Sequence, residues 1–245
     1  MGGRHNLPWQ KKQTAYRVWL SEIMLQQTQV STVIPYFDKF IKKYQTISDL
    51  ANANIDEILK LWEGLGYYSR ARNLHKTALI VSSDLAGRFP KTVNGLMALP
   101  GIGRSTAGAI LSLAFQIPTP ILDGNVKRVL TRYHAITGWP GDTKTEKKLW
   151  VFAEKYTPSV QIRNYTQAIM DLGATLCKRS TPSCSKCPLS SGCVAYNEAI
   201  VSKFPEKKVK KVKQQDLHLC VIKNNKNEVV LAKREAKGIW GGLWC

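Results

Sequence analysis

Acidic residues are scarce in this chain: 17 Asp and Glu stand against 36 Lys and Arg in 245 residues, a formal charge of +19. A surplus of that size marks a polyanion partner, most often nucleic acid, rather than solubility alone. Long apolar runs are missing too. No window reaches membrane-spanning length, which excludes a transmembrane helix. The start, Met1-Gly2-Gly3-Arg4-His5, lacks the apolar stretch of a signal peptide. The expected compartment is the cytoplasm, at the nucleoid, with no membrane partner. Strand-type alternation is absent up to about residue 200. What remains is helical periodicity in a chain that is 44% hydrophobic, enough for one large or two small domains.

Tyr16, Trp19, Leu20, Ile23, Val30, Ile34, Phe37 and Ile41 recur at helical spacing over 14–44, with Pro35 as the expected break or new start. Further helices are expected near 48–53, 55–63, 69–84, 92–99, 104–115, 124–136, 145–156 and 162–175. The body reads as all-α. A basic linker follows at 206–213, Glu-Lys-Lys-Val-Lys-Lys-Val-Lys. Leu217–Ile222, a polar turn at 223–227 and Val229-Val230-Leu231 predict a β-hairpin. About thirty residues cannot bury a core of their own, so this tail reads as the start of a β-containing domain.

Cysteine is nearly confined to one cluster. Cys177, Cys184, Cys187 and Cys193 follow C-x6-C-x2-C-x5-C, whereas Cys220 and Cys245 lie apart. Four soft sulfur ligands so close in sequence suit an iron–sulfur cluster or zinc. Zinc sites usually pair two short C-x2–4-C knuckles, and this run has one, so the spacing favours [4Fe–4S]. Disulfides are the third reading, disfavoured in a chain without secretory features.

Leu99-Pro100-Gly101-Ile102-Gly103-Arg104-Ser105-Thr106-Ala107 stands between two helical stretches. Gly101 and Gly103 allow unusual backbone angles and close approach. The next helix offers free N–H groups and a positive dipole end, a site for a DNA phosphate. A tight turn between packed helices is the plainer alternative. Glu22 lies in Trp19-Leu20-Ser21-Glu22-Ile23-Met24-Leu25-Gln26-Gln27-Thr28-Gln29, and on a helix it shares a face with Gln26 and Gln29. Apolar neighbours can raise its pKa and make it a proton donor; a solvated surface glutamate is the competing reading. Asp123, in Ile121-Leu122-Asp123-Gly124-Asn125-Val126-Lys127-Arg128, is either a helix N-cap or a carboxylate kept ionised by the helix end and Lys127. One protonated and one ionised carboxyl is the pairing of glycosidic cleavage.

With Gly64-Leu65-Gly66-Tyr67-Tyr68-Ser69-Arg70-Ala71-Arg72 added, these motifs in this order resemble the adenine DNA glycosylases of the MutY type. The resemblance runs from about Leu7 to the end. It implies a mainly α, two-lobed helix–hairpin–helix glycosylase fold with a [4Fe–4S] loop. It also implies a monomer that removes adenine mispaired with 8-oxoguanine or guanine from double-stranded DNA. It makes Glu22 the acid that protonates adenine N7, Asp123 the carboxylate that stabilises the sugar cation, and Asn125 a support for sugar and water. Gln26, Gln27, Tyr67, Gly101, Gly103, Ser105 and Lys127 become DNA contacts, and Arg4 and Leu7 meet the 8-oxoguanine side. Ser105 replaces the lysine nucleophile of the endonuclease III branch, so a glycosylase/lyase acting on oxidised pyrimidines is disfavoured. A DNA-binding module of the same fold without catalysis is the remaining rival.

The resemblance divides the chain into a six-helix domain (14–119, hairpin 92–115), a cluster domain (1–13 with 120–204), a linker (205–215) and an incomplete Nudix-like α/β domain (216–245). Relatives carry a helix ahead of Leu7-Pro8-Trp9, where this chain has six residues. Gly238–Cys245 matches only an early stretch of the Nudix-like domain. Weakened discrimination of 8-oxoguanine from guanine is the expected consequence.

Overall fold

In the computed structural model the described residues are 7–208, 220–235 and 241–244. The chain divides into two units, with the boundary between Lys208 and Val209. Among the described residues no helix is long and apolar enough to cross a membrane.

In the first unit, Thr14 caps α1 (Ala15–Leu25) by accepting the Arg17 N–H at 3.3 Å. This helix buries Tyr16, Trp19, Leu20, Ile23 and Met24. α2 (Val30–Lys43) adds Val33, Phe37 and Phe40. The break between them falls at Gln26–Gln29 and not at Pro35, which sits inside α2. The chain turns there because Gln27 takes a left-handed φ of 56° and other groups take up the carbonyls at the end of α1. Gln26 is consequently the C-cap of α1 and Gln29 the N-cap of α2, so the expected Glu22–Gln26–Gln29 helix face does not form.

Short helices α3 (Ile47–Ala51) and α4 (Ile55–Leu61) lead into α5 (Ser69–Ser83), which packs on α3, α4 and α1. Trp19, Phe37, Phe40, Trp62 and Leu74 form the centre of the core; the Phe40 and Trp62 rings meet edge-to-face at 5.8 Å. Truncating a large aromatic so enclosed costs about 3–5 kcal/mol.

α6 (Val93–Met97) and α7 (Arg104–Leu113) are the two arms of the hairpin. α7 is tightly approached: a Cβ on Gly108 would lie 2.3 Å from the Pro120 carbonyl oxygen, so only glycine lets the 120–121 segment run against it. That segment delivers Asp123 to the start of α8 (Gly124–Tyr133). α9 (Thr143–Tyr156) packs on α8, and α10 (Ile162–Asp171) packs on α7 and α8. α10 runs into a π turn, Leu172–Leu176, that ends at Cys177. The cysteine loop then passes through single 3-10 turns to α11 (Val194–Asn197).

In the second unit, among the described residues, the expected hairpin shows one isolated antiparallel bridge, Lys223 with Val229, and a separate bridge joins Lys233 to Trp244. The Val230 N–H donates to the Ile222 carbonyl at 3.1 Å, and Asn227 turns the chain at a φ of 61°. Val221, Ile222, Val229, Val230 and Leu231 are all exposed, as the lack of a sufficient core dictates. Residues 217–219, most of the linker, and 236–240 lie outside the described residues.

Candidate active site

A pocket of about 430 Å³ opens between α1, α7, α8 and α10, within the size range of small-molecule sites. It brings together Leu7, Glu22, Gln26, Gln27, Ser105, Asp123 and Asn125 from the sequence-predicted set. Gln13, Gln167 and Asp171 also line it and carried no sequence signal. Asp171 is buried and accepts a hydrogen bond from the Gln167 amide at 3.1 Å.

Glu22 projects from the last turns of α1 among Val18, Ser21 and Leu25. Burial, and secondarily the charge of Asp123, push its pKa up to about 8. Glu22 is half-buried and lines the pocket, and among the described residues no hydrogen bond to its carboxyl is found. That supports the proton-donor reading over the solvated surface glutamate.

Asp123 is half-buried, and desolvation pushes its pKa up. Opposing this, its Oδ1 accepts the Val126 N–H at 2.8 Å and its Oδ2 accepts the Asn125 Nδ2 at 3.0 Å. It is therefore the N-cap of α8 and a pocket carboxyl at once. Its stabilising cation is Arg128, not Lys127. Lys127 pairs instead with Glu146 at 2.7 Å, tying α8 to α9. Arg128 donates to the Asn125 Oδ1 at 2.8 Å, the Gly173 carbonyl at 2.7 Å and the Cys177 carbonyl at 2.6 Å. The two acids thus share a pocket but not an environment: donors hold Asp123, and among the described residues none reaches Glu22.

The hairpin lies beside the pocket. Gly101 has a φ of 80°, and Asn73 packs against it, leaving no comfortable room for a side chain. Gly103, the N-cap of α7, has a φ of −90°, an angle open to any residue, which corrects the expectation for it. Its Cα faces open space, so its contribution is access to the N–H groups behind it. The Thr77 hydroxyl donates to the Pro100 carbonyl at 2.9 Å and anchors the turn. The Ser105 hydroxyl accepts the Leu122 N–H at 3.0 Å and so braces the residue before Asp123.

Tyr67 is 60% exposed at a left-handed φ of 48° and does not line the pocket. Arg4 lies outside the described residues.

Cys177, Cys184, Cys187 and Cys193 line a second, apolar pocket with Val129, Leu172 and Leu176. They are free thiols, and burial raises the pKa of Cys184 and Cys187, with the neighbouring sulfurs adding to it. Arg132 donates to the Cys177 sulfur at 3.3 Å and to the Lys178 and Arg179 carbonyls. Among the described residues no three His, Cys, Asp or Glu side chains form a group that could hold a single metal ion.

Residues 20–155 match the HhH-GPD superfamily of base excision DNA repair proteins. The adenine DNA glycosylase of Buchnera aphidicola subsp. Schizaphis graminum is 46% identical over 245 residues, covering 100% of this chain and 71% of that protein. The adenine DNA glycosylase of Homo sapiens is 45% identical over 201 residues, covering 78% of this chain and 37% of the human protein. Among solved structures, a thermostable thymine-DNA glycosylase superposes with a TM-score of 0.71 at 31% identity, covering 80% of this chain and 90% of that one. An endonuclease III–DNA complex, at 24% identity and a TM-score of 0.65 over 76% of this chain and 86% of its own, shares the fold. With a helical hairpin, a pocket lined by two carboxyls and relatives matched over its whole length, this chain belongs to the adenine DNA glycosylases of the HhH-GPD superfamily.

Proposed function

We propose that the chain hydrolyses the N-glycosidic bond of adenine mispaired with 8-oxoguanine or guanine in double-stranded DNA. The observation that carries this reading is the pocket that Glu22 and Asp123 both line, where burial pushes the Glu22 pKa up to about 8. A base inside a duplex is out of reach of such a pocket. The adenine leaves the stack first, at a cost of a few kcal/mol that is smallest at a mispair.

Glu22 donates its proton to the flipped base at N7, which makes the base a neutral leaving group as the glycosidic bond opens. Positive charge develops on the sugar, and the Asp123 carboxylate faces it. Asn125 and the Val126 N–H keep that carboxylate oriented and stabilise its ionised form. Water then adds to the sugar. Gln27 and Tyr67 meet the bases beside the gap, the N-terminus of α7 holds a phosphate, and the +19 charge makes affinity fall steeply with salt.

The four cysteines fit a [4Fe–4S] cluster in donor type and in converging on one pocket. Bound there, the cluster supplies iron–sulfur bonds that pin the loop carrying the exposed Lys178, Arg179 and Lys186. Iron and sulfide analysis of the purified chain distinguishes this from zinc, which a metal analysis finding zinc alone supports instead.

Single-turnover release of adenine from a duplex with adenine opposite 8-oxoguanine tests the reading. The expected result is release by the native chain and none by Glu22→Gln. Tight binding of that duplex by the native chain with no release overturns it in favour of a binding module.

A further inference from the structure

We propose that Arg70 is a positioning residue that sets the spacing between the Gln27 and Tyr67 loop tips which enter the duplex. This rests on reading those two tips as duplex contacts.

Arg70 belongs to α5 and is 8% exposed. Its guanidinium has no carboxylate partner among the described hydrogen bonds; it spends its donors on two loops instead. One nitrogen donates to the Ile23, Met24 and Gln26 carbonyls at 3.0, 2.8 and 2.7 Å. The other donates to the Thr28 hydroxyl at 3.1 Å and to the Leu65 and Gly66 carbonyls at 2.9 and 3.2 Å. Gln26 and Thr28 flank Gln27, and Leu65 and Gly66 immediately precede Tyr67. The guanidinium also lies 5.6 Å from the Tyr67 ring centroid and 5.3 Å from that of Trp62.

Gln27 and Tyr67 are both left-handed non-glycine residues, and both are exposed. Such conformations persist only where the surroundings over-determine them. Here the surroundings are one planar fork. Its fixed geometry holds the two backbones at one separation, which a flexible ammonium cannot do. It also takes carbonyls at the C-terminal end of α1, where a cation is favoured. Two tips held ready before binding lose less freedom when the duplex closes on them.

Full-length protein carrying Glu22→Gln keeps the duplex intact during titration. In that background, Arg70→Lys is expected to weaken binding to the adenine:8-oxoguanine duplex about tenfold, or about 1.4 kcal/mol. Binding to a matched duplex, held through phosphates, should change by less than about twofold. Combined with Gln27→Ala and Tyr67→Ala, Arg70→Lys should add nothing further, the signature of residues acting through one another. Equal loss on both duplexes, no loss on the mispair, or full additivity overturns the proposal. If Gln27→Ala with Tyr67→Ala leaves mispair affinity unchanged, the duplex-contact reading fails and takes the proposal with it. If those two weaken it and Arg70→Lys does not, only the proposal fails. Should Arg70→Lys not fold, Thr28→Ala removes one acceptor and carries the same test: a smaller mispair-specific loss that vanishes in the Gln27→Ala, Tyr67→Ala background supports the proposal, and its absence overturns it.

Discussion

The carboxyl pocket and the cysteine pocket are built on opposite plans. The cysteines lie between Cys177 and Cys193, and one continuous loop brings them together. The carboxyls stand at positions 22 and 123, on α1 and α8, and meet only because α7 and α10 pack between the helices that carry them. The cysteine loop is braced from α8 by Arg128 and Arg132. A site made by four helices holds its shape through the core. Chemistry that needs one carboxyl dry and the other donor-rich belongs on the second plan, because side chains there sit in fixed surroundings.

The sharpest way to separate the two regions is to remove function from one at a time. Glu22→Gln keeps shape and removes the proton. Adenine release should fall by about 10²–10⁴, the usual contribution of a general acid, with duplex affinity and iron content unchanged. Single-turnover kinetics beside a binding titration checks it. Asp123→Asn retains an N-cap side chain for α8 but not the charge. Release should fall by about 10²–10³ with the thermal midpoint little altered, since electrostatic stabilisation of a transition state is worth that much. Loss of iron in either variant breaks the separation. Conversely, Cys187→Ala should abolish bound iron and weaken DNA binding through the loop, while leaving the alkaline limb of the pH–rate profile in place.

What could be read beforehand follows the same division. The grouping of the four cysteines was legible because its information is local: they stand close in sequence, and they line one pocket. The helices were legible from periodicity, and the half-buried setting of Glu22 from its apolar neighbours. The break at Gln26–Gln29 was not, because the group that terminates α1 there is a guanidinium forty-odd residues away, and no local signal marks it. The partner of Lys127 escaped for the same reason. Spacing aims it at Asp123 along α8, but Glu146 on α9 captures it across a helix pair that only the fold creates. Gly103 misled in the other direction: a glycine in a turn motif suggested an unusual angle, whereas its value there is an uncovered face.

Changing pH probes the carboxyl pocket through Glu22 and Asp123. With Glu22 at about 8 and its ordinary value at 4.5, the rate should fall above pH 8, about tenfold per unit, as the proton is lost. The acid limb should lie above the ordinary carboxylate range, because burial also raises Asp123. Both limbs belong to the pair rather than to either residue. Stability follows with a definite sign. The folded chain holds the Glu22 proton more tightly than the unfolded chain, so stability falls as pH rises from 4.5 through 8. Glu22→Gln should flatten that slope and raise the thermal midpoint at alkaline pH relative to the native chain. A native slope unchanged by the substitution sinks the assignment of the raised pKa to Glu22.

The smallest expected effect lies at the seam between the hairpin and the carboxyl pocket. Ser105→Ala removes the acceptor for the Leu122 N–H. Leu122 is buried, so its amide loses a partner without gaining open solvent, at about 1 kcal/mol of stability. Because Leu122 directly precedes Asp123, the same loss loosens the carboxylate. Release of adenine should fall by a few-fold, far less than in Asp123→Asn, while phosphate-dependent binding to matched DNA stays level. Ser105→Thr keeps the hydroxyl and should restore the rate. If Ser105→Ala instead weakens matched-duplex binding and spares the rate, the hydroxyl serves the phosphate rather than Asp123, and the seam belongs to the binding surface.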